Sequence, residues 1–138
     1  MNRRSLVKLF LGLPCLFPAL GRTAPHPRPG LQHITQETYL LSFWVAGTYY
    51  YQAQSALTEL PEGTTLRLQR EPGNTHDKYA IEIFTESGLK LGYVPRNRNL
   101  VLARLMDAGK YLYERVRQTE CTDGENCGIH ARMYMQNL

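Results

Sequence analysis

The sequence predicts a mainly β domain with one or two helices, folded as a small closed or partly closed barrel of the OB or SH3 type. Three observations support this fold class: five or six short segments rich in aromatic and β-branched residues, turn residues between them, and one segment with helical periodicity. A barrel leaves few strand edges exposed. A small antiparallel sheet with a packed helix fits the same pattern, and pattern alone does not choose between the two.

The chain is long enough for one domain and too short for a second independent core. It has 138 residues, of which 43% are hydrophobic. We divide it into a leader at residues 1–21, a linker at residues 22–37 and one domain at residues 38–138. The linker contains three prolines and a glycine without apolar periodicity, which is typical of a flexible arm.

The leader resembles a signal peptide. Arg3 and Arg4 precede an apolar run with a small-residue exit, and residues 2–8 resemble the twin-arginine variant of that signal. The run is too short and too interrupted by proline to span a membrane, so no stable span is expected after cleavage. We therefore predict an exported protein, periplasmic or secreted. An uncleaved leader, packed as an apolar helix, would instead make the protein cytoplasmic or anchored at its N-terminus.

The charge balance limits the kind of nucleic-acid site that the domain can carry. The chain has 16 Lys and Arg against 12 Asp and Glu, but three of the cations lie in the acid-free leader. The remainder has 13 cations against 12 acids, whereas a long phosphate-tracking surface is usually clearly basic. Any nucleic-acid site is therefore expected to be local.

The first predicted strands follow the linker. Residues 39–47 are dense in aromatic and β-branched residues and end at a glycine, which indicates a buried strand. Three tyrosines stand at the end of this strand, and residues 52–60 form a short segment of mixed character with a turn of helix. After a Pro-x-Gly turn, residues 64–70 alternate in polarity and predict a half-buried strand.

A loop and a hairpin come next. The loop at residues 71–74 leads into a strand at residues 79–84, and residues 89–94 pair back on it. Asn97 is predicted to cap a helix whose apolar residues fall mostly on one face and which ends at Gly109.

The last two predicted strands, at residues 111–116 and 129–135, flank a loop with Cys121 and Cys127. Their spacing suits a disulfide that closes a hairpin in an oxidising compartment. With His130 the set offers three zinc ligands, but a structural zinc site needs four. A disulfide is therefore favoured, two free thiols come second and zinc third, so no cofactor is expected.

Three blocks, at residues 45–51, 68–81 and 91–96, resemble the HIRAN domain family. The central block is the most specific, with an Arg-acid-Pro turn, an asparagine, an aspartate and a following Ala-Ile strand. The resemblance covers about residues 40–135. It implies a modified OB-like barrel, found fused to helicase and nuclease domains and also free-standing in bacteria. It further implies a pocket that captures the 3′-hydroxyl end of single-stranded DNA.

The resemblance also implies roles for individual residues. Tyr50 matches a tyrosine that stacks on bases, and Asp77 matches the aspartate that hydrogen-bonds the terminal hydroxyl. His76 stands where those members have a tyrosine, and Tyr49 stands where they have an arginine near the phosphates. Tyr93 occupies a position that can touch the nucleic acid. The cations expected near the phosphates are Arg70, Lys78, Arg96 and Arg98.

The chemistry of these residue types agrees with such a pocket. Aromatic faces stack on any base, and an ionised carboxylate accepts a hydrogen bond from a free hydroxyl but repels phosphate. Structural roles are the alternative, since consecutive tyrosines often pack and Asp77 can close an Asx turn on its own backbone.

We predict a nucleic-acid-binding module with single-stranded DNA ends as its partner, and not an enzyme. The sequence has no Walker-type phosphate loop, so a hydrolase activity would belong to fused helicase domains that this chain lacks. Export favours an alternative function, because DNA ends are scarce in a periplasm. In that alternative the domain keeps the barrel but binds an envelope protein or peptide.

Overall fold

The computed structural model describes residues 36–51, 57, 60–122 and 126–137. The predicted leader and residues 22–35 of the linker lie outside the described residues, as does most of the predicted helical turn at residues 52–60. Within the described ranges, no helix is long and apolar enough to cross a membrane.

Six strands form one antiparallel sheet in the order β1-β6-β5-β2-β3-β4. The strands are β1 Gln36–Trp44, β2 Thr65–Arg70, β3 Ile81–Thr85, β4 Lys90–Tyr93, β5 Leu112–Thr122 and β6 Asn126–Asn137. A 3₁₀ turn, Thr48–Tyr50, follows β1, and the helix α1, Asn99–Asp107, follows β4.

The sheet curls so that its two edge strands meet. Directly after β1, Ala46 exchanges two backbone hydrogen bonds with Tyr93 of β4, with N···O distances of 2.8 and 2.9 Å. Gly92 permits this approach, because its φ is +153° and a Cβ there would lie 2.3 Å from the carbonyl oxygen of Ala46. A curled sheet with one helix confirms the predicted mainly β, OB-like barrel.

The core lies inside the curl. Leu66 of β2, Ile81 and Ile83 of β3 and Leu102 of α1 are almost completely buried in one hydrophobic cluster. Successive residues of a strand face opposite sides of the sheet, so every second residue points into this core. Burying each such side chain contributes roughly 1.5–3 kcal/mol. The alternation predicted for residues 64–70 is therefore confirmed.

The predicted helix start is wrong by one residue. The N–H of Arg98 donates to the carbonyl oxygen of Pro95 at 2.8 Å, so Asn97 lies inside a turn and does not cap the helix. The helix begins at Asn99, and its N-cap residue, Arg98, makes no side-chain capping hydrogen bond. The predicted end is confirmed, since Gly109 has a φ of +80° just beyond α1.

The segment after β1 also differs from the prediction. Gly47 has a φ of +79° and turns the chain out of the strand, and the N–H of Tyr50 donates back to its carbonyl oxygen at 3.0 Å. The first tyrosines therefore belong to a helical turn and not to a strand end. At its other end β1 begins at Gln36, within the residues predicted as linker, because its first residues pair with the end of β6.

Candidate functional site

A cleft of about 370 Å³ opens beside the meeting point of β1 and β4. A second cavity of about 540 Å³ adjoins it, and both are lined by Asn74, His76, Asp77 and Arg96. The cleft is also lined by Ala46, Tyr51, Ala80, Tyr93 and Val94, and the adjoining cavity by Thr75, Lys78, Tyr79, Asn99 and Leu100. Four of the predicted site residues, His76, Asp77, Tyr93 and Arg96, are thus brought together at the cleft.

Asn74 fixes the shape of the loop between β2 and β3. Its Oδ1 accepts hydrogen bonds from the backbone N–H groups of His76 and Asp77, at 2.9 and 3.0 Å. Its Nδ2 donates to Oε2 of Glu71 at 2.8 Å. Because a side chain replaces the backbone partners that a loop lacks, the loop has a defined conformation without any ligand.

The Asp77 carboxylate lines both cavities and is held from two sides. Its Oδ1 accepts a hydrogen bond from the backbone N–H of Tyr79 at 2.9 Å, which is the Asx turn considered in the sequence analysis. Its Oδ2 accepts from Nδ2 of the buried Asn99 at 2.6 Å, and Nε of Arg96 lies 4.0 Å away. Each carboxylate oxygen has two acceptor positions, so Asp77 retains capacity for a hydroxyl donor.

Tyr93 is held by two charged side chains behind the cleft. Its hydroxyl donates to Oε2 of Glu71 at 2.9 Å and accepts from Nζ of Lys90 at 2.7 Å. Burial, together with donation to Glu71, raises the pKa of Tyr93, and the hydrogen bonds from Asn74 and then Tyr93 lower the pKa of Glu71. Tyr93 therefore remains a neutral phenol, and Glu71 remains an acceptor.

Tyr51 is a cleft residue that the sequence analysis missed. Its ring meets that of Tyr93 edge to face, with 5.9 Å between centroids, and Nζ of Lys90 lies 4.6 Å from the Tyr51 centroid. Lys90 also donates to Oε1 of Glu82 at 2.7 Å. Burial of the Lys90 ammonium opposes its charge, but these hydrogen bonds outweigh burial and raise its pKa. The Lys90 ammonium therefore makes cation–π contacts with the rings of both Tyr51 and Tyr93.

Tyr49 and Tyr50 lie outside the lining of both cavities. Their side chains stand on the 3₁₀ turn and are 67% and 84% exposed, with their rings edge to face at 5.8 Å. This turn contacts both β4 and β6. The two exposed tyrosines therefore directly precede the cleft residue Tyr51, on a turn between these strands.

The predicted cations differ in where the structure places them. Arg96 is exposed at the rim of the cleft and donates to the carbonyl oxygen of His76, and Lys78 lines the adjoining cavity. Arg98 is exposed at the start of α1.

Arg70 is absent from the lining of both cavities. It pairs with Asp107 of α1 at 3.0 Å, and it donates to the carbonyl oxygens of Ala80 at 2.6 Å and Lys78 at 3.1 Å. With its side chain only 13% exposed, Arg70 supports the loop against α1 and does not contribute to the cavity surface. Its position near the phosphates of a bound strand stays a prediction.

The cysteine loop contains the predicted disulfide. Cys121 and Cys127 are directly opposite in the β5–β6 hairpin and are joined by a disulfide, with 4.0 Å between their Cα atoms. Neither sulfur is then a thiolate ligand, and His130 packs against Trp44 with 5.0 Å between ring centroids. In the described part of the chain, no group of three His, Cys, Asp or Glu side chains is arranged to hold a metal ion.

Comparison with known proteins gives two related structures and one family. The family model of the HIRAN domain matches residues 39–136. A crystal structure of a protein from Lactobacillus plantarum is similar, with 32% identity, a TM-score of 0.66, and coverage of 75% of this chain and 98% of that chain. The crystal structure of the HIRAN domain of human HLTF has the same fold, with 22% identity, a TM-score of 0.56, and coverage of 73% of this chain and 79% of that chain. None of the curated proteins matches the chain significantly.

Proposed function

This chain belongs to the HIRAN domain family, and on that premise we propose that its cleft captures the 3′-hydroxyl end of single-stranded DNA. HIRAN domains are binding domains that are generally associated with nucleic acids. The observation that carries the proposal is the Asp77 carboxylate, held by Tyr79 and Asn99 in the wall of a cleft that Tyr51 and Tyr93 also line.

A carboxylate at this position selects strand ends by its charge. A free hydroxyl donates a hydrogen bond to it, whereas a phosphate at the same place brings two negative groups together. A terminal 3′-phosphate, or the phosphodiester of a continuous strand, is therefore disfavoured at Asp77. Arg96 at the rim and Lys78 in the adjoining cavity supply positive charge for the phosphates that precede the terminal nucleotide.

The tyrosines supply sequence-tolerant contacts for the bases. Stacking of a base on an aromatic side chain contributes about 1–3 kcal/mol and depends little on which base it is. Tyr51 and Tyr93 line the cleft, and Tyr49 and Tyr50 stand exposed beside it. A terminal nucleotide in the cleft and its neighbour on the 3₁₀ turn would each meet an aromatic face.

The cleft is also organised before any ligand arrives. The hydrogen bonds of Asn74 and Asn99 fix the loop and the carboxylate in the free protein. Binding then requires little ordering of the loop, which preserves affinity for a ligand as small as a strand terminus.

The experiment that tests this function compares Asp77→Asn with Glu86→Gln in the full chain. Each variant removes one negative charge, but Glu86 lies exposed in the turn between β3 and β4, away from the cleft lining. Fluorescence anisotropy is measured with short single strands that end in a 3′-hydroxyl or a 3′-phosphate. We expect Asp77→Asn to lose the preference for the hydroxyl and Glu86→Gln to keep it.

Two results would contradict the proposal. An unchanged hydroxyl preference in Asp77→Asn would remove this carboxylate from the site. Absence of binding to both strands at low salt would reject DNA ends as the ligand, and would favour the exported domain that binds an envelope protein or peptide.

A further inference from the structure

Trp44 lies exposed on the outer face of the sheet, at the end of β1. Its side chain is on the opposite side from the core, 43% exposed, over Gly128 of β6. A Cβ on Gly128 would lie 3.1 Å from the indole ring, so the glycine lets the ring approach the strand closely. The His130 imidazole meets the indole at 5.0 Å and 38°, which limits the movement of the ring.

Two arginines lie close to this ring pair. Arg132 is two residues after His130 on β6 and so faces the same side of the sheet. Arg117 is the extra residue at the register irregularity of β5 between Val116 and Gln118. Such a bulge changes the direction of a side chain relative to the regular alternation of the strand. Burial of the imidazole and, after it, the positive charges of Arg117 and Arg132 lower the pKa of His130, and they outweigh the opposing negative charge of Glu120.

Both guanidinium groups are available for a ligand. Among the described residues, neither Arg117 nor Arg132 makes a side-chain hydrogen bond or an ion pair. Arg115, on the same strand as Arg117, differs because it is held by both carboxylate oxygens of Glu37, at 2.8 and 2.9 Å. We call Trp44, Arg117, His130 and Arg132 the Trp44 patch.

The Trp44 patch and the cleft are close along the chain. Ala46, which lines the cleft, is two residues after Trp44. The 3₁₀ turn contacts β4, which carries Tyr93 of the cleft, and β6, which carries His130 and Arg132 of the patch, and Tyr49 and Tyr50 stand exposed on this turn. The exposed rings of Tyr49 and Tyr50 therefore lie on a segment that contacts both the strand of the cleft and the strand of the patch.

We infer that the Trp44 patch is a second subsite for single-stranded nucleic acid, contacting upstream nucleotides of a strand whose 3′ end occupies the cleft. The inference rests on the proposed function of the cleft and extends it. Unpaired guanidinium groups bind phosphate through charge-assisted, often bidentate hydrogen bonds, and the exposed indole offers a face to one base. The domain as a whole is nearly neutral, but on this face two unpaired cations lie together, which fits a polyanion.

Trp44 is the single tryptophan of the chain, so intrinsic fluorescence reports on this patch directly. The full chain is titrated with a trimer and with a 15-nucleotide strand, both single-stranded and ending in a 3′-hydroxyl. We expect both to bind, the longer strand about tenfold more tightly, and only the longer strand to change the Trp44 emission. Two phosphate contacts would add about 1.4 to the slope of log affinity against log salt concentration.

A charge-matched pair of variants tests the arginines. Arg117→Gln/Arg132→Gln is compared with Arg67→Gln/Lys110→Gln, which removes two exposed cations outside the patch. The first double variant should bind the 15-nucleotide strand no more tightly than the trimer, and the second should keep the length dependence. Hydroxyl preference with the trimer should be unchanged in both.

The outcomes separate this inference from the proposed function. If the trimer binds with hydroxyl preference but the longer strand binds no more tightly and leaves the Trp44 emission unchanged, the patch is not a subsite and the cleft stands. If neither strand binds, the proposed function fails and the inference fails with it. An equal emission change with polyglutamate would overturn the assignment to nucleic acid in favour of general binding of acidic polymers.

Discussion

Two carboxylates, Asp77 in the loop beside the cleft and Glu114 inside the barrel, are held in opposite ways. Asp77 receives hydrogen bonds from Tyr79 and Asn99 and lies at a cavity surface. Glu114, on β5, is completely buried between Leu66 and Met133 in the sheet, and neither of its oxygens has a hydrogen-bond partner among the residues that the structure describes. Asp77 is hydrogen-bonded and accessible to a ligand at the cavity surface. For Glu114, burial is the cause of its shifted pKa.

The difference has a direct consequence for protonation. Desolvation raises the pKa of Glu114 to about 8, because an unpaired charge is strongly disfavoured among apolar side chains. At neutral pH this group is therefore a neutral acid that destabilises the core as pH rises. Glu114 therefore lowers the stability of the barrel interior, whereas the side chains of Asn74 and Asp77 in the loop beside the cleft are hydrogen-bonded.

The largest expected effect is the pH dependence caused by Glu114. The folded state keeps the proton while the unfolded state loses it near pH 4.5, so the free energy of unfolding should fall as pH rises from about 4.5 to about 8. The total change is at most about 5 kcal/mol. Glu114→Gln has no proton to lose, and chemical denaturation at pH 5, 7 and 9 should show this slope removed. A slope equal to that of the wild type would mean that Glu114 does not titrate in this range.

The next effect concerns closure of the sheet beside the cleft. Gly92→Ala places a Cβ 2.3 Å from the carbonyl oxygen of Ala46 in a backbone conformation that favours glycine. We expect Gly92→Ala to lower the free energy of unfolding by about 3 kcal/mol, measured by thermal or chemical denaturation. Gly73→Ala is the control, because a Cβ at Gly73 meets no atom of the described ranges within 4 Å. Equal stability of the two variants would show that the contact between β1 and β4 does not hold the barrel.

The smallest effect tests the support of Asp77. Asn99→Ala removes the hydrogen bond to Oδ2 and should lower the free energy of unfolding by about 1–2 kcal/mol, together with a weaker preference for a 3′-hydroxyl. Asn97→Ala, two residues earlier and exposed, should change neither quantity. If Asn99→Ala matches Asn97→Ala in stability and in binding, the carboxylate does not depend on Asn99.

Much of the barrel follows from local patterns in the sequence. The alternation of polarity at residues 64–70 predicts β2. The turn residues before β3 predict a loop, and in the structure hydrogen bonds of Asn74 fix the backbone of that loop at Asp77. Tyr51 was not predicted as a cleft residue, because the positive φ of Gly47 turns the chain into a helical turn and changes which tyrosine faces the cleft.

Other features depend on tertiary contacts that no local pattern reveals. Asn99, rather than Asn97, begins the helix, and its side chain donates a hydrogen bond to Asp77, 22 residues earlier in the chain. Glu114 has the same strand parity as the buried Val116, yet charged residues usually face water, and only the packed structure shows that this one does not. Trp44 and Arg117 likewise both lie near His130 only because β1, β6 and β5 are neighbours in the sheet.

The most direct test of the account is the ratio of dissociation constants of the wild-type chain for two short single strands that differ only in their 3′ group. We predict that the 3′-hydroxyl strand binds at least about tenfold more tightly than the 3′-phosphate strand, a difference of about 1.4 kcal/mol. Equal affinities for the two strands would contradict the claim that the Asp77 cleft captures a free 3′-hydroxyl end.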